Sequence, residues 1–258
     1  MQAKWKECKY MDIEIKENER IDDLEYKNLK IIQNENGFCF GIDSVLLSDF
    51  AKEVKDNSTA LDLGTGTGIL GILLCGKTKL RKVTGIEVQA EIAEMAERSI
   101  KLNNLQDRFN IVNENIKNIP EILEKNSYDY IITNPPYKKI NTGKTNDSKL
   151  KLISRHEVEA SLEDFINVSY KMLKDKGTLF MVHRPDRLVD ILYTLGKNKM
   201  EPKKIKFVYP KINKEANLVL IKAVKNGKEF LTIEKPLYVY NEDGSYTDDI
   251  LKIYNKID

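Results

Sequence analysis

The run Leu61-Asp-Leu-Gly-Thr-Gly-Thr-Gly68 restricts the possible folds more than any other stretch of the chain. It stands between a short apolar strand, Thr59–Leu63, and an apolar helix, Ile69–Gly76. Alternate glycines let the backbone turn tightly and leave room for a ligand that a Cβ would block. In open α/β sheets such a strand-to-helix turn lies at the carboxyl edge, where cofactors bind. The glycines alone are ambiguous, because Gly66, Gly68 and Gly71 also fit a dinucleotide fingerprint loosely. Asp62 points elsewhere: a carboxylate beside the loop would repel a pyrophosphate and suit an amino group, such as that of a methionine moiety.

The surrounding pattern alternates strand and helix. Strands are expected at Lys82–Glu87, Phe109–Val112, Tyr128–Thr133 and Thr178–Val182, and helices at Ala90–Asn103, Ile119–Glu124, Leu162–Leu173 and Arg187–Leu195. Such alternation predicts right-handed crossovers and a mostly parallel, doubly covered sheet. Lys204–Tyr209 and Asn217–Val224 are separated by too few residues for a parallel crossover, so they are expected to be antiparallel neighbours. Upstream, a charged leader precedes short extended pieces at Leu29–Gln33 and Phe38–Phe40, and Asp43 stands as the N-cap of an amphipathic helix from Ser44 to about Lys55. This divides the chain into an N-terminal extension with a capping helix (1–57), an α/β domain (58–226) and a C-terminal tail packed on it (227–258).

Composition narrows the class. The chain has 42 Lys and Arg against 40 Asp and Glu among 258 residues, with 41% hydrophobic residues, as a globular protein does. No apolar run approaches the roughly 20 residues that cross a bilayer, and the charged N-terminus has no signal core. Cys8, Cys39 and Cys75 are odd in number and widely spaced, which fits neither a disulfide framework nor a zinc site and suits a reducing cytoplasm. The charge is uneven: residues 138–214 carry 18 basic and nine acidic side chains, a surface suited to a polyanion.

Two further strand ends carry chemistry. Glu87 ends the second strand, where an acidic side chain can grip a ribose diol beside Val88. Asn115 and Ile116 follow the third strand, within reach of an adenine ring. Asn134-Pro-Pro-Tyr137 directly follows the fourth. Its prolines hold the backbone extended and Asn134 in a predictable place. The side-chain oxygen of Asn134 and the Pro135 carbonyl could accept both hydrogens of an exocyclic amine, and Tyr137 offers a face for a base to stack on. An adenine amine is a poor nucleophile because its lone pair is delocalised into the ring. Holding both N–H groups would aim that lone pair at an electrophile, so that positioning supplies most of the rate without a metal.

Leu61–Gly68 together with Ile132-Thr-Asn-Pro-Pro-Tyr137 resembles the S-adenosylmethionine-dependent amino-methyltransferases. Within them, Ile31-Ile-Gln33, Phe38-Cys-Phe-Gly-Ile-Asp-Ser-Val-Leu-Leu47, Arg155-His-Glu157, His183-Arg-Pro185, Phe207-Val-Tyr-Pro-Lys211 and Lys214-Glu-Ala-Asn217 resemble the bacterial tRNA-valine adenine-N6 methyltransferases, over roughly residues 18–250. The resemblance implies a Rossmann-like class I fold, seven-stranded and mostly parallel with an antiparallel last strand. It implies that Asp62, Gly64, Thr65, Gly66, Gly68, Glu87, Val88, Asn115, Ile116 and Asn134 surround S-adenosylmethionine, which leaves as S-adenosylhomocysteine, with Asp43 over its methionine end. Asn134, Pro135, Pro136 and Tyr137 would hold the target, an adenine N6 beside the tRNA anticodon. Lys138, Lys139, Arg155, His156, Lys203 and Lys204 would meet the RNA. No metal and no membrane enter this reading, and a monomer is expected. Guanine N2 of ribosomal RNA and a protein glutamine amide are the competing targets. An NAD-binding oxidoreductase is the competing class, for which no hydride-transfer constellation is visible.

Overall fold

The computed structural model describes residues 13–37, 41–137 and 160–257. Its central sheet runs through β3 (Thr59–Leu63), β4 (Lys82–Glu87), β5 (Phe109–Asn113), β6 (Tyr128–Thr133), β7 (Leu173–His183), β8 (Met200–Tyr209) and β9 (Leu218–Lys225). In space the order is β5-β4-β3-β6-β7-β9-β8. β3 to β7 pair in parallel, and β9 runs antiparallel to both β7 and β8. Two short strands, β10 (Thr232–Ile233) and β11 (Leu237–Tyr238), extend β8 in parallel and bring the sheet to nine strands rather than the seven expected. They escape periodicity because two-residue strands carry no period; β8 alone defines them.

Helices cover both faces. On one lie α1 (Ile42–Phe50), α2 (Ile69–Lys77) and, near the C-terminus, α7 (Asp248–Ile253); their apolar residues share a core with Val83, Phe109, Phe180 and Leu220. The other core joins Leu61, Leu63, Ile131 and Met181 to α5 (Leu162–Met172) and α6 (Leu188–Lys197), with Ile119 of the short α4 (Ile119–Ile122). The helix–sheet approach is closest at Gly71 of α2, where a Cβ would come within 2.2 Å of the Phe109 ring. A methyl group there would displace the helix from the sheet.

The charged leader contains a strand absent from the sequence reading. β1 (Glu19–Asp23) pairs antiparallel with β2 (Lys30–Asn34). α3 (Ala90–Leu102) anchors this hairpin: Arg98 makes 2.6 and 2.7 Å contacts with the Glu19 carboxylate, and Ser99 Oγ accepts from Ile32 N–H at 3.0 Å. Glu19 and Arg98 are nearly buried, so this pair is shielded from the solvent screening that weakens surface ion pairs. At α1, Gly41 rather than Asp43 is the N-cap, and Asp43 sits in the first turn with its side chain directed elsewhere.

Candidate active site

β3 and β6 are direct neighbours, with Leu63 opposite Thr133, and Thr133 Oγ1 donates to the Leu63 carbonyl at 2.8 Å. The loops that leave their carboxyl ends, 64–68 and 134–137, therefore start side by side. This is the juxtaposition on which the sequence reading depends. Gly64, Gly66 and Gly68 all have positive φ, between 57° and 87°. A Cβ on Gly66 would meet nothing within 4 Å, so the loop faces open space there.

Asp62 is fully buried beneath this loop. Its Oδ2 accepts from Thr65 Oγ1 at 2.6 Å, while Oδ1 has no hydrogen-bond partner among the described residues. Burial, reinforced by the nearby Glu87, pushes its carboxyl up to about 7, against the Thr65 hydrogen bond and a weaker pull from the Gly71 backbone N–H. A buried carboxylate oxygen without a partner is costly, and a cationic ligand beside the loop would meet its need. Glu87, also buried, ties the loop to β4: Oε2 accepts from Gly66 N–H at 3.0 Å and Oε1 from Gln89 N–H at 3.0 Å. Burial raises its pKa. Val88 beside it exposes 39% of its surface, an apolar platform at the same rim, and Ile116 is buried behind it in the second core. Asn115 caps a 3-10 turn, its Oδ1 accepting from Lys117 N–H at 3.0 Å. One lone pair of that oxygen is thereby used.

On the facing loop, Asp43 forms the hub. Its Oδ2 accepts from Asn134 Nδ2 at 3.0 Å and from Tyr137 Oη at 2.7 Å, while Oδ1 accepts from Ser44 N–H at 2.9 Å. An amide that donates through Nδ2 to a carboxylate has its orientation set, which leaves Oδ1 available as an acceptor. Burial and the Asp43 charge push the Tyr137 phenol above its ordinary value, so it remains a donor at any working pH. Its ring is half-buried and lies 5.1 Å from the His183 imidazole, so one side of the expected stacking face is covered. Pro135 is buried and Pro136 exposed. No periodicity signals the Asp43 contacts, because 91 residues separate it from Asn134; only the packing of α1 against β7, the strand beside β6, brings them together.

The basic residues divide. Lys138, Lys139, Arg155 and His156 lie outside the described residues. Lys203 and Lys204 lie on β8, three strands from β6, or about 14 Å at the usual strand spacing. Lys203 Nζ donates to the carbonyls of Lys228 and Glu229, and Lys204 pairs with Glu234 at 3.0 Å, as Lys206 also does. These contacts hold the C-terminal segment against β8. Among the described residues no group of His, Cys, Asp and Glu could hold a metal, and no helix is long and apolar enough to cross a membrane.

Residues 29–192 match a protein family described as the methyltransferase small domain. A tRNA1(Val) (adenine(37)-N6)-methyltransferase of Porphyromonas gingivalis is 29% identical over 175 residues, 66% of this chain and 68% of that protein. One of the same name from Trichodesmium erythraeum is 26% identical over 84% of this chain and 92% of its own length. The fold is that of a solved predicted O-methyltransferase from Agrobacterium tumefaciens, with a TM-score of 0.66 at 23% identity, covering 83% of this chain and 95% of that one. It is also similar to geranyl diphosphate C-methyltransferase of Streptomyces coelicolor A3(2), solved with Mg2+, geranyl diphosphate and S-adenosyl-L-homocysteine. That likeness has a TM-score of 0.54 at 14% identity, over 70% of this chain and 76% of the other.

Proposed function

The chain belongs to the methyltransferase small-domain family of S-adenosylmethionine-dependent enzymes, and from that premise we propose that it methylates the N6 amine of an adenine beside a tRNA anticodon. The observation that carries this reading is the Asp43–Asn134–Tyr137 cluster standing next to the glycine loop on neighbouring strands. The names of the relatives point to the same target.

The residues present fit the cofactor. The unpartnered Asp62 Oδ1 suits its ammonium group, the open face of Gly66 leaves room for its backbone-hugging part, and Glu87 with Val88 suits a ribose and the adjoining ring. When bound, S-adenosylmethionine supplies an electrophilic methyl group. The protein's contribution is to hold the acceptor amine. Asn134 Oδ1 accepts one of its hydrogens, and the orientation imposed by Asp43 keeps that oxygen, not the amide nitrogen, facing the amine. Acceptor dipoles fixed in place before the reaction stabilise the positive charge that develops on the nitrogen. Tyr137, held protonated, orients the loop and takes no proton.

Incubation with methyl-labelled S-adenosylmethionine and total RNA from cells lacking this gene is expected to label a single nucleoside, N6-methyladenosine. Label in N2-methylguanosine or in protein would refute the reading. Replacing Asp43 with Ala is expected to lower kcat about tenfold while the dissociation constant for the cofactor changes little. Asp43→Asn retains an acceptor for the two donors and should recover most of the loss. A parallel fall in cofactor affinity would instead make Asp43 a ligand of the methionine end.

A further inference from the structure

Where β7 ends, a guanidinium stands beside the target loop and takes no part in holding the amine. Thr133 of β6 lies opposite Met181 of β7, so the chain that follows His183 leaves the sheet alongside loop 134–137. Arg184 is the first residue out. Its backbone is fixed from both sides: its N–H donates to His183 Nδ1 at 2.8 Å, and Pro185 behind it holds it extended at the head of the 3-10 turn Pro185–Arg187. His183 is fully buried with its ring 5.1 Å from that of Tyr137, which ties this corner to the target loop.

Arg184 is exposed, and its charge is felt inside the site. Burial and the Asp43 charge raise the Tyr137 phenol, and the Arg184 charge opposes that rise. Burial pulls the His183 imidazole down to about 4, and the Arg187 and Arg184 charges add to the pull. Among the described residues the Arg184 side chain has no hydrogen-bond acceptor and no ion pair, neighbouring Asp186 included, whereas Arg187 is engaged with Asp190 at 2.8 Å. A guanidinium presents its N–H donors in a planar fork that matches a phosphate. The positive rim continues on the next strands. Val219 of β9 lies opposite His183, and loop 210–217, which joins β8 to β9 at this same end of the sheet, carries Lys211 and Lys214 against the single acid Glu215.

We propose that Arg184 grips a phosphate flanking the adenosine to be methylated, holding the RNA backbone at the mouth of the site while the base turns in toward Asn134. This rests on the reading of the substrate as tRNA and deepens it. A base presented to Asn134 has to leave its stack, and the strand on either side must be held while it does so. Phosphate contacts do this without reading sequence: they fix register and orientation, and the loop that meets the amine selects the base. A fork-shaped, two-bond contact fixes the phosphate in direction as well as in place, which a lysine ammonium does not.

The test pairs the arginine with single phosphates. The substrate is a full-length tRNA, ligated from synthetic pieces, with an unmodified adenosine 3′ of the anticodon. In separate preparations the linkage 5′ or 3′ of that adenosine is a neutral methylphosphonate, beside charged controls with the same sugar. With the wild-type enzyme, one of the two neutral linkages is expected to lower kcat/KM about tenfold, as loss of a charge-assisted contact does. Arg184→Ala should raise KM on the charged tRNA about tenfold, leave kcat within about threefold and be indifferent to that linkage. Its dissociation constant for S-adenosylmethionine should match the wild type, which also shows that the variant is folded. The slope of log KM against log salt should fall by about one. Arg184→Lys, which keeps the charge and loses the fork, should recover part of the loss. Two harmless linkages in the wild type, a variant as sensitive to them as the wild type, or an unchanged KM in Arg184→Ala overturns the role of Arg184 while the adenine reading stands. No methylation of the unmodified tRNA by the wild type overturns both.

Discussion

Replacing Asn134 with Ala is expected to reduce turnover by about a hundredfold or more while the dissociation constant for S-adenosylmethionine stays within a few fold. The magnitude follows from losing a fixed dipole at the centre where charge develops, an effect usually worth 10²–10³ in kcat. The selectivity follows from geometry. Asn134 sits on the loop after β6, its Nδ2 anchored to Asp43 at 3.0 Å, whereas Asp62 and Glu87, suited to the cofactor's ammonium and ribose, lie at the carboxyl ends of β3 and β4. Removing the amide also frees the Asp43 carboxylate, which keeps Tyr137 Oη as its donor at 2.7 Å, so the loop is expected to remain in place. Single-turnover methyl transfer and calorimetric titration of the same preparation separate the two effects. Loss of cofactor binding in step with turnover would move Asn134 to the cofactor side of the site.

How much of this could be read without coordinates varies by element. β3, β4 and β6 have the bounds expected, because each is a short apolar run closed by glycine, acid or proline. β7 and β8 each start earlier than expected, at Leu173 and Met200, since the residues that follow these two are mostly polar and their pairing is set by neighbouring strands. β1 was invisible for a related reason: Glu19–Asp23 is nearly all charged, and Arg98 from α3 makes it a strand. Within the site, residues in one local run were legible and partnerships across the fold were not. The glycine loop and Asn134–Tyr137 are contiguous motifs. That Asp43 serves Asn134 rather than capping its helix, or that Lys203 secures the C-terminal segment, depends on contacts between residues far apart in the chain.

The second large effect concerns Asp62 and joins stability to binding. Burial pushes its carboxyl up to about 7 in the fold, from an ordinary value of 3.8. A group with a raised folded pKa favours the fold fully below its unfolded pKa, and that advantage is lost as pH rises through the folded value. From this group alone, the ligand-free protein should lose stability between about pH 4 and pH 7. Asp62→Asn keeps an acceptor for Thr65 and removes the buried charge. Above pH 7 it should therefore raise the stability of the ligand-free protein, by on the order of 2–4 kcal/mol in denaturant melts at pH 8. The same substitution deprives the ligand's ammonium of its counter-charge and should weaken cofactor binding by about a hundredfold, the cost of leaving a charged partner unpaired. In the wild type, binding should strengthen as pH rises toward 7, up to tenfold per pH unit, because the ammonium favours the ionised carboxyl and one proton leaves on binding. Calorimetry in buffers of different ionisation enthalpy counts that proton directly. A variant no more stable than the wild type at pH 8, yet with unchanged cofactor affinity, would show that Asp62 is an ordinary buried acid of the sheet. A gain in stability together with a loss of affinity identifies it as a charge kept at the fold's expense for the sake of the ligand.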